Sequence, residues 1–335
     1  MAPIIHVEEL RKTYPGGVEA VRGLSFQVEE GEIFGFLGPN GAGKSTTIMM
    51  LTTLLRPTSG SMRVVGLDPT VNPFAVRSQI GYVSQDLAVD DALTGRENLW
   101  LQGNFYHLSP AENRRRSQEL LELVGLADRA DDLVETYSGG MRKRLDIACG
   151  LMHRPRLLFL DEPTLGLDIQ TRRQIWAYLE QMKHQFGMTL FLTTHYMEEA
   201  DALCDRVAII DQGQIRAVGR PEELKAAIGG DLVHLRLDGA EAQAKAQAIL
   251  EALPPVRSVQ AADGQLQVVV TNGDDAVVPI IQALAQAGVA PHAITVKKPT
   301  LDDVYLAHTG KELRAESGSR DEGMQARMRM RRIRR

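Results

Sequence analysis

Short apolar runs of strand length alternate with helical patterns through most of this chain. Ile4 to Val7 and Leu24 to Val28 read as strands, with a turn at Tyr14-Pro15-Gly16-Gly17 between them and a polar break at Glu29-Glu30-Gly31-Glu32 after them. A small N-terminal β layer is predicted. Ile33 to Leu37 is a compact apolar strand, followed by a glycine-rich loop and a helical run from Thr46 to Leu55. From Ala88 to Gly150 helical signals dominate, and Ser109-Pro110-Ala111-Glu112 reads as a capping box opening a helix to Val124. Strands return at Leu157 to Leu160, Thr189 to Leu192 and Val207 to Ile210, alternating with helices at Thr171 to His184 and Met197 to Leu203. This alternation predicts an α/β architecture with a parallel sheet flanked by helices.

After Pro221 to Ile228, Gly229-Gly230 reads as a linker. Beyond it come strand Leu232 to Leu237, helix Ala240 to Leu253, strands Val256 to Ala261 and Gln265 to Val270, helix Asp274 to Gln286 and strand His292 to Val296. The order βαββαβ predicts a small, separate α+β domain of the ferredoxin-like kind.

The length of 335 residues fits a main domain plus a smaller one, and 44% apolar with 24% charged residues is ordinary for a folded protein. The net charge of -5 hides six arginines between Arg327 and Arg335, so the body is more acidic than the total, which argues against nucleic-acid binding by the core. Cys149 and Cys204 lie in apolar patterns without a CxxC partner and are expected to be reduced, buried thiols. The N-terminus has no basic, apolar export signal, so the chain is expected to stay in the cytosol. No apolar run approaches the ~20 residues needed to cross a bilayer, so any membrane role must come through a partner.

The chemistry concentrates in a few segments. Gly38-Pro39-Asn40-Gly41-Ala42-Gly43-Lys44-Ser45 fits GxxxxGK[ST] between a predicted strand and a predicted helix. Its glycines let the backbone close around phosphate, the helix N-terminus adds positive potential, Lys44 neutralises β- and γ-phosphate charge and Ser45 holds Mg²⁺. Thr46, next in line, is counted with this ATP-binding set. Asp161 and Glu162 follow the apolar strand Leu157 to Leu160, at the carboxyl end where ligands of open α/β sheets bind. Asp161 suits Mg²⁺ through water and Glu162 suits a general base, although such acidic pairs are often only solvated turns. Ser138-Gly139-Gly140 opens a further helix as a second anion site. That helix spans roughly 18 Å and leads back towards the Asp161 strand, so its serine end points away from the chain's own phosphate loop and asks for a second molecule.

In this order, the motifs across Ile4 to Ile228 resemble the ATPase subunits of ABC transporters. The resemblance implies a P-loop ATPase domain with an N-terminal β layer and a helical subdomain at about 88–150. It implies that Tyr14 stacks on adenine, Gln85 senses Mg²⁺ and the permease, Asp168 lies in the loop between facing subunits, and His195 reads the γ-phosphate. The usual Leu-Ser-Gly-Gly-Gln signature here has Tyr137 and Met141 at its ends, and the aspartate loop reads Leu165-Gly166-Leu167-Asp168. The phosphate-facing Ser138, Gly139 and Gly140 remain.

Tyr137 to Arg142, Leu93 to Leu99, and Pro299 to Leu306 together resemble the daunorubicin-resistance subfamily. This implies export of an amphiphilic drug, lipid or glycan by a head-to-tail homodimer at the cytoplasmic face of the inner membrane. A separate ABC-2 type permease would be contacted near Gln85 and Leu93 to Leu99. An importer ATPase and an ATP-gated regulator stand as alternatives; a single P-loop argues against a translation factor, and the spacing from Lys44 to Ser138 against a chromosome-maintenance ATPase. The expected divisions are 1–228 for the ATPase, 231–310 for the α+β domain and 311–335 for a basic tail, solvated or in contact with anionic lipid.

Overall fold

The computed structural model describes residues 2–237, 239–262 and 265–310; the basic tail at 311–335, and the expectations for it, lie outside them. An antiparallel layer contains β1 (Ile5–Thr13), β2 (Glu19–Val28) and β4 (Ser59–Val64) in the order β2-β1-β4. The central sheet contains β3 (Ile33–Leu37), β5 (Ile80–Val83), β6 (Leu157–Asp161), β7 (Thr189–Thr194), β8 (Arg206–Asp211) and β9 (Gln214–Gly219). Its order is β5-β6-β7-β3-β8-β9, parallel throughout except for the β8–β9 pair. Every residue of β3, β6 and β7 is buried, as expected of parallel strands covered on both faces. Phe26, Phe34, Phe36, Phe159 and Phe191, with ring centroids 5.4 to 6.1 Å apart, join the two layers.

The helices are α1 (Lys44–Leu51), α2 (Pro73–Arg77), α3 (Gly95–Phe105), α4 (Pro110–Leu123), α5 (Gly139–Gly150), α6 (Ile169–Phe186), α7 (Met197–Leu203) and α8 (Pro221–Ala226). The helix expected to begin at Thr46 starts at Lys44, because Gly43 at φ 104 ends the loop and caps it. Of the capping box expected at Ser109, only the Ser109 side chain accepting from the Glu112 N–H forms, at 3.3 Å. A complete box forms instead at Thr94 and Glu97, opening α3. Among the described residues no helix is long and apolar enough to cross a membrane.

The last sheet contains β10 (Asp231–Arg236), β11 (Val256–Ala262), β12 (Gln265–Val270) and β13 (Ala293–Lys297), antiparallel in the order β11-β12-β10-β13. With α9 (Ala240–Glu251) and α10 (Gly273–Gln286) it forms the expected ferredoxin-like arrangement around its own core. One further helix, α11 (Leu301–Thr309), leaves that sheet and packs on α7, α8 and β9. Leu301, Val304 and Tyr305 thereby enter the core of the central sheet, and Tyr305 Oη donates to Asp211 Oδ1 at 3.3 Å. Val304→Asp should therefore lower the thermal midpoint by roughly 5 °C or more, since it places an unpaired charge in that core. Val278→Asp, on the exposed side of α10 at 58% accessibility, serves as the control and should leave the midpoint unchanged. Equal midpoints for the two variants would contradict this docking of α11.

Candidate active site

The phosphate loop leaves the carboxyl end of β3 and turns into α1. Gly41 and Gly43 have φ of 80 and 104, and a Cβ at Gly43 would come within 2.5 Å of the Ala20 carbonyl. Glycine is therefore the residue that lets the loop close there. Asn40 and Gly41 are exposed at the loop's tip, while Pro39 is half-buried and Gly38, Ala42 and Gly43 are buried. Lys44 is only 5% exposed, and its Nζ donates to the carbonyls of Gly38 at 2.7 Å and Pro39 at 3.1 Å. The same ammonium lies 3.1 Å from Glu162 Oε1.

Both carboxylates come from the end of β6, whose apolar residues leave Asp161 as the last strand position. Glu162 follows at φ 48, a conformation that costs a non-glycine residue about 1–3 kcal/mol. Its N–H donates to the Thr193 carbonyl at 3.2 Å and to Thr193 Oγ1 at 3.1 Å, which holds the turn in place. Thr193 Oγ1 in turn donates to Asp161 Oδ1 at 2.5 Å, and Ser45 Oγ donates to the same oxygen at 3.3 Å. Burial pushes the Asp161 carboxyl up, against the opposing hydrogen bonds from Thr193 and Ser45. Burial would raise Glu162 as well, but the hydrogen bond with His195 and the charge of Lys44 outweigh it and hold that carboxyl below the usual range. His195 Nδ1 lies 3.0 Å from Glu162 Oε2, so Glu162 bridges a cation and an imidazole.

Two more expected residues stand at this edge. Tyr14 Oη is 3.3 Å from Thr46 Oγ1, which places the half-buried ring beside the first turn of α1. Gln85 is exposed two positions beyond Val83, whose register partner on β6 is Leu160, so it emerges at the same sheet edge as Asp161. Ser138, Gly139, Gly140 and Asp168 form a second group. Ser138 caps α5 by accepting from the Met141 N–H at 3.3 Å. A Cβ on Gly139 would sit 3.8 Å from Leu167, and one on Gly140 would be 2.3 Å from Thr171. Asp168 caps α6 through the Thr171 N–H at 2.9 Å, which lowers its carboxyl along with the Thr171 hydroxyl. Two helix starts thus lie side by side, with Ser138, Gly139 and Asp168 exposed.

Thr193, the hinge between the two acids, was not foreseen. Its only signal in the sequence is a hydroxyl residue at the end of an apolar strand. Glu199 was also missed: fully buried, it accepts from Thr164 Oγ1 at 2.8 Å and Trp176 Nε1 at 3.0 Å, tying the turn after Glu162 to α6 and α7. Cys149 and Cys204 are free thiols as expected, Cys204 buried and Cys149 partly so.

A family model described as ABC transporter matches residues 21–165, and one described as ATP-binding protein DrrA1-3-like, C-terminal domain, matches residues 219–309. The chain is 41% identical over 317 residues to the daunorubicin resistance ATP-binding protein DrrA3 of Streptomyces coeruleorubidus, covering 94% of this chain and 98% of that one. It is 40% identical over 316 residues to the linearmycin resistance ATP-binding protein LnrL of Bacillus subtilis, covering 93% and 100%. Among solved structures, the dimeric post-hydrolysis state of the ATP-binding cassette MJ0796 with ADP and Pi superposes with a TM-score of 0.59 at 27% identity, over 64% of this chain and 98% of that one. Likeness that extends from the phosphate loop through the C-terminal sheet to α11 shows that the chain belongs to the ATP-binding, ATP-hydrolysing subunits of ABC transporters, of the drug-resistance type.

Proposed function

We propose that this subunit powers export of an amphiphilic drug, lipid or glycan through a separate ABC-2 type permease at the cytoplasmic face of the cell membrane. The observation that carries the reading is the chain from Lys44 through Glu162 to His195 at the sheet's carboxyl edge, with Gly139 and Gly140 beside Leu167 and Thr171. Two copies arranged head to tail would then sandwich two ATP molecules, each between one chain's phosphate loop and the other's Ser138-Gly139-Gly140. The resistance names of the relatives and the C-terminal match support export over import. The presence of both Glu162 and His195 disfavours a regulator that binds ATP without cleaving it.

In this reading, Tyr14 lies against the adenine while Gly38 to Thr46 wrap the phosphates and Lys44 offsets their charge. Ser45, Asp161 and Gln85 would hold magnesium, an ion that supplies further positive charge at the phosphate oxygens. The buried, raised Asp161 carboxyl beside the Ser45 hydroxyl fits such an ion. As phosphate oxygens draw on Lys44, its hold on Glu162 weakens and the carboxylate becomes a stronger base. Glu162 accepts a proton from water as the water oxygen bonds to the γ-phosphorus, and the bond to the β-phosphate oxygen breaks to release ADP. His195, held by Glu162 through Nδ1, is the residue assigned to the γ-phosphate.

The permease contact is assigned to Gln85 and to Leu93 to Leu99 at the start of α3. Residues 1–228 serve as the ATPase unit with its helical part at 88–150, and 231–310, apart from the docked α11, as a module promoting subunit pairing. The six arginines between Arg327 and Arg335 supply charge for anionic headgroups. The head-to-tail arrangement is tested by Ser138→Arg, which should leave ATP binding by the isolated monomer within about twofold of wild type while blocking dimer closure and turnover. Equilibrium binding and sedimentation with ATP decide the matter. Loss of monomer binding would put Ser138 in its own chain's site.

A further inference from the structure

Away from the phosphate loop, α5 carries a buried cation and a buried carboxylate that hydrolysis does not use. Lys143 and Asp146 are 5% and 3% exposed, and Lys143 Nζ lies 3.5 Å from Asp146 Oδ2. Each also reaches across to the segment that follows β5. Lys143 Nζ donates to the Ser84 carbonyl at 2.8 Å, and Asp146 Oδ1 accepts from the Ala88 N–H at 3.2 Å. The pair therefore grips both ends of Ser84–Ala88, and Gln85 stands exposed between the two grips.

Stability alone is a poor reason for this arrangement. Desolvation opposes both charges, lowering Lys143 and raising Asp146, and a buried ion pair seldom stabilises a fold more than apolar side chains of equal volume would. What the pair adds is direction, because both contacts to the loop are made to backbone atoms and fix its position whatever its side chains are. The other end of the link is stiff. Lys143 lies about 6 Å along the helix axis from Gly139, with unbroken helix between them.

We propose that Lys143 and Asp146 are positioning residues that join the Gln85 loop to the Ser138 end of α5 as one rigid body. Gln85, at this chain's own nucleotide, and Ser138, at the partner's, then move together. The inference rests on the nucleotide roles proposed above for Gln85 and Ser138. It makes the segment a mechanical connection between the two composite sites of a dimer.

The test measures hydrogen exchange at the Ala88 amide and steady-state ATPase on the full chain in parallel. Lys143→Met/Asp146→Leu removes both charges while keeping apolar volume. In this double variant Ala88 should exchange at least about tenfold faster. Its kcat should fall roughly ten- to hundredfold while KM for ATP stays within about twofold, the pattern of a misplaced group rather than a lost binding contact. Lys143→Arg keeps charge and donor and should recover most of the rate. If the double variant does not fold, Lys143→Met alone, with Asp146 free to take up a proton, should shift Ser84–Ala88 exchange and kcat in the same direction. Wild-type kcat in a folded variant, or reduced kcat with Ala88 exchange unchanged, overturns the proposal. Faster exchange with reduced kcat, alongside a Gln85→Ala variant that turns over normally, upholds the connection and removes Gln85 from its assigned role.

Discussion

Glu162→Gln is expected to bind MgATP about as tightly as wild type and to hydrolyse it at least a hundredfold more slowly. The amide keeps the shape, and its single oxygen can still accept from Lys44, but its NH2 only donates and it cannot take a proton from water. Because the Lys44 ammonium lies 3.1 Å from Glu162 Oε1, an amide oxygen in that place keeps a partner and the substituted side chain has little freedom to move away. Binding should persist, and the ATP-bound form should accumulate as a dimer, since pairing no longer ends in hydrolysis. Single-turnover ATPase together with size analysis in MgATP would measure both effects. Hydrolysis near the wild-type rate would remove Glu162 from the role of base.

Lys44→Ala should weaken ATP binding roughly ten- to hundredfold, the range expected on losing about 1.5–3 kcal/mol of charge-assisted hydrogen bonding. It should also alter the protein's response to acid. Wild-type Glu162 titrates below the usual glutamate range, so it contributes stability that is present above the unfolded-state pKa and lost as pH falls through the lowered folded value. Without the ammonium that carboxyl rises towards the unfolded value, and the acid-side loss in thermal midpoint should shrink. Calorimetric ATP titration and melting across the acid range would test the two halves separately. Unchanged affinity would mean that Lys44 serves the loop's carbonyls and Glu162, not the phosphates.

Much of the fold was legible because its strongest strands are dense apolar runs: Ile33 to Leu37, Leu157 to Leu160 and Thr189 to Leu192 each lie within an observed, fully buried strand. The strands β4 and β9 escaped notice for the opposite reason. They lie at sheet edges and bury few side chains, Met62 and Val64 in β4 and none fully but Gly-flanked partial contacts in β9, so their sequences show no apolar run. The phosphate loop and the two acids stand out in the sequence because each follows a strand, where a short motif carries its own context, whereas His195 enters only through the resemblance. Thr193 and the pair Lys143 and Asp146 were not readable. Their roles arise from contacts across many intervening residues, and charges at i and i+3 on a helix ordinarily mark a solvated face.

The path of α11 also bears on synthesis. The surface of α7 that Leu301, Val304 and Tyr305 cover is made long before those residues, with β10 through β13 intervening. A nascent ATPase portion can therefore collapse around its sheet yet must wait, with apolar side chains of α7 and α8 open, until the chain has been made beyond residue 305. Messages cut short before that point would yield products that carry the whole phosphate loop but display a sticky flank, the kind of surface that chaperones and proteases recognise.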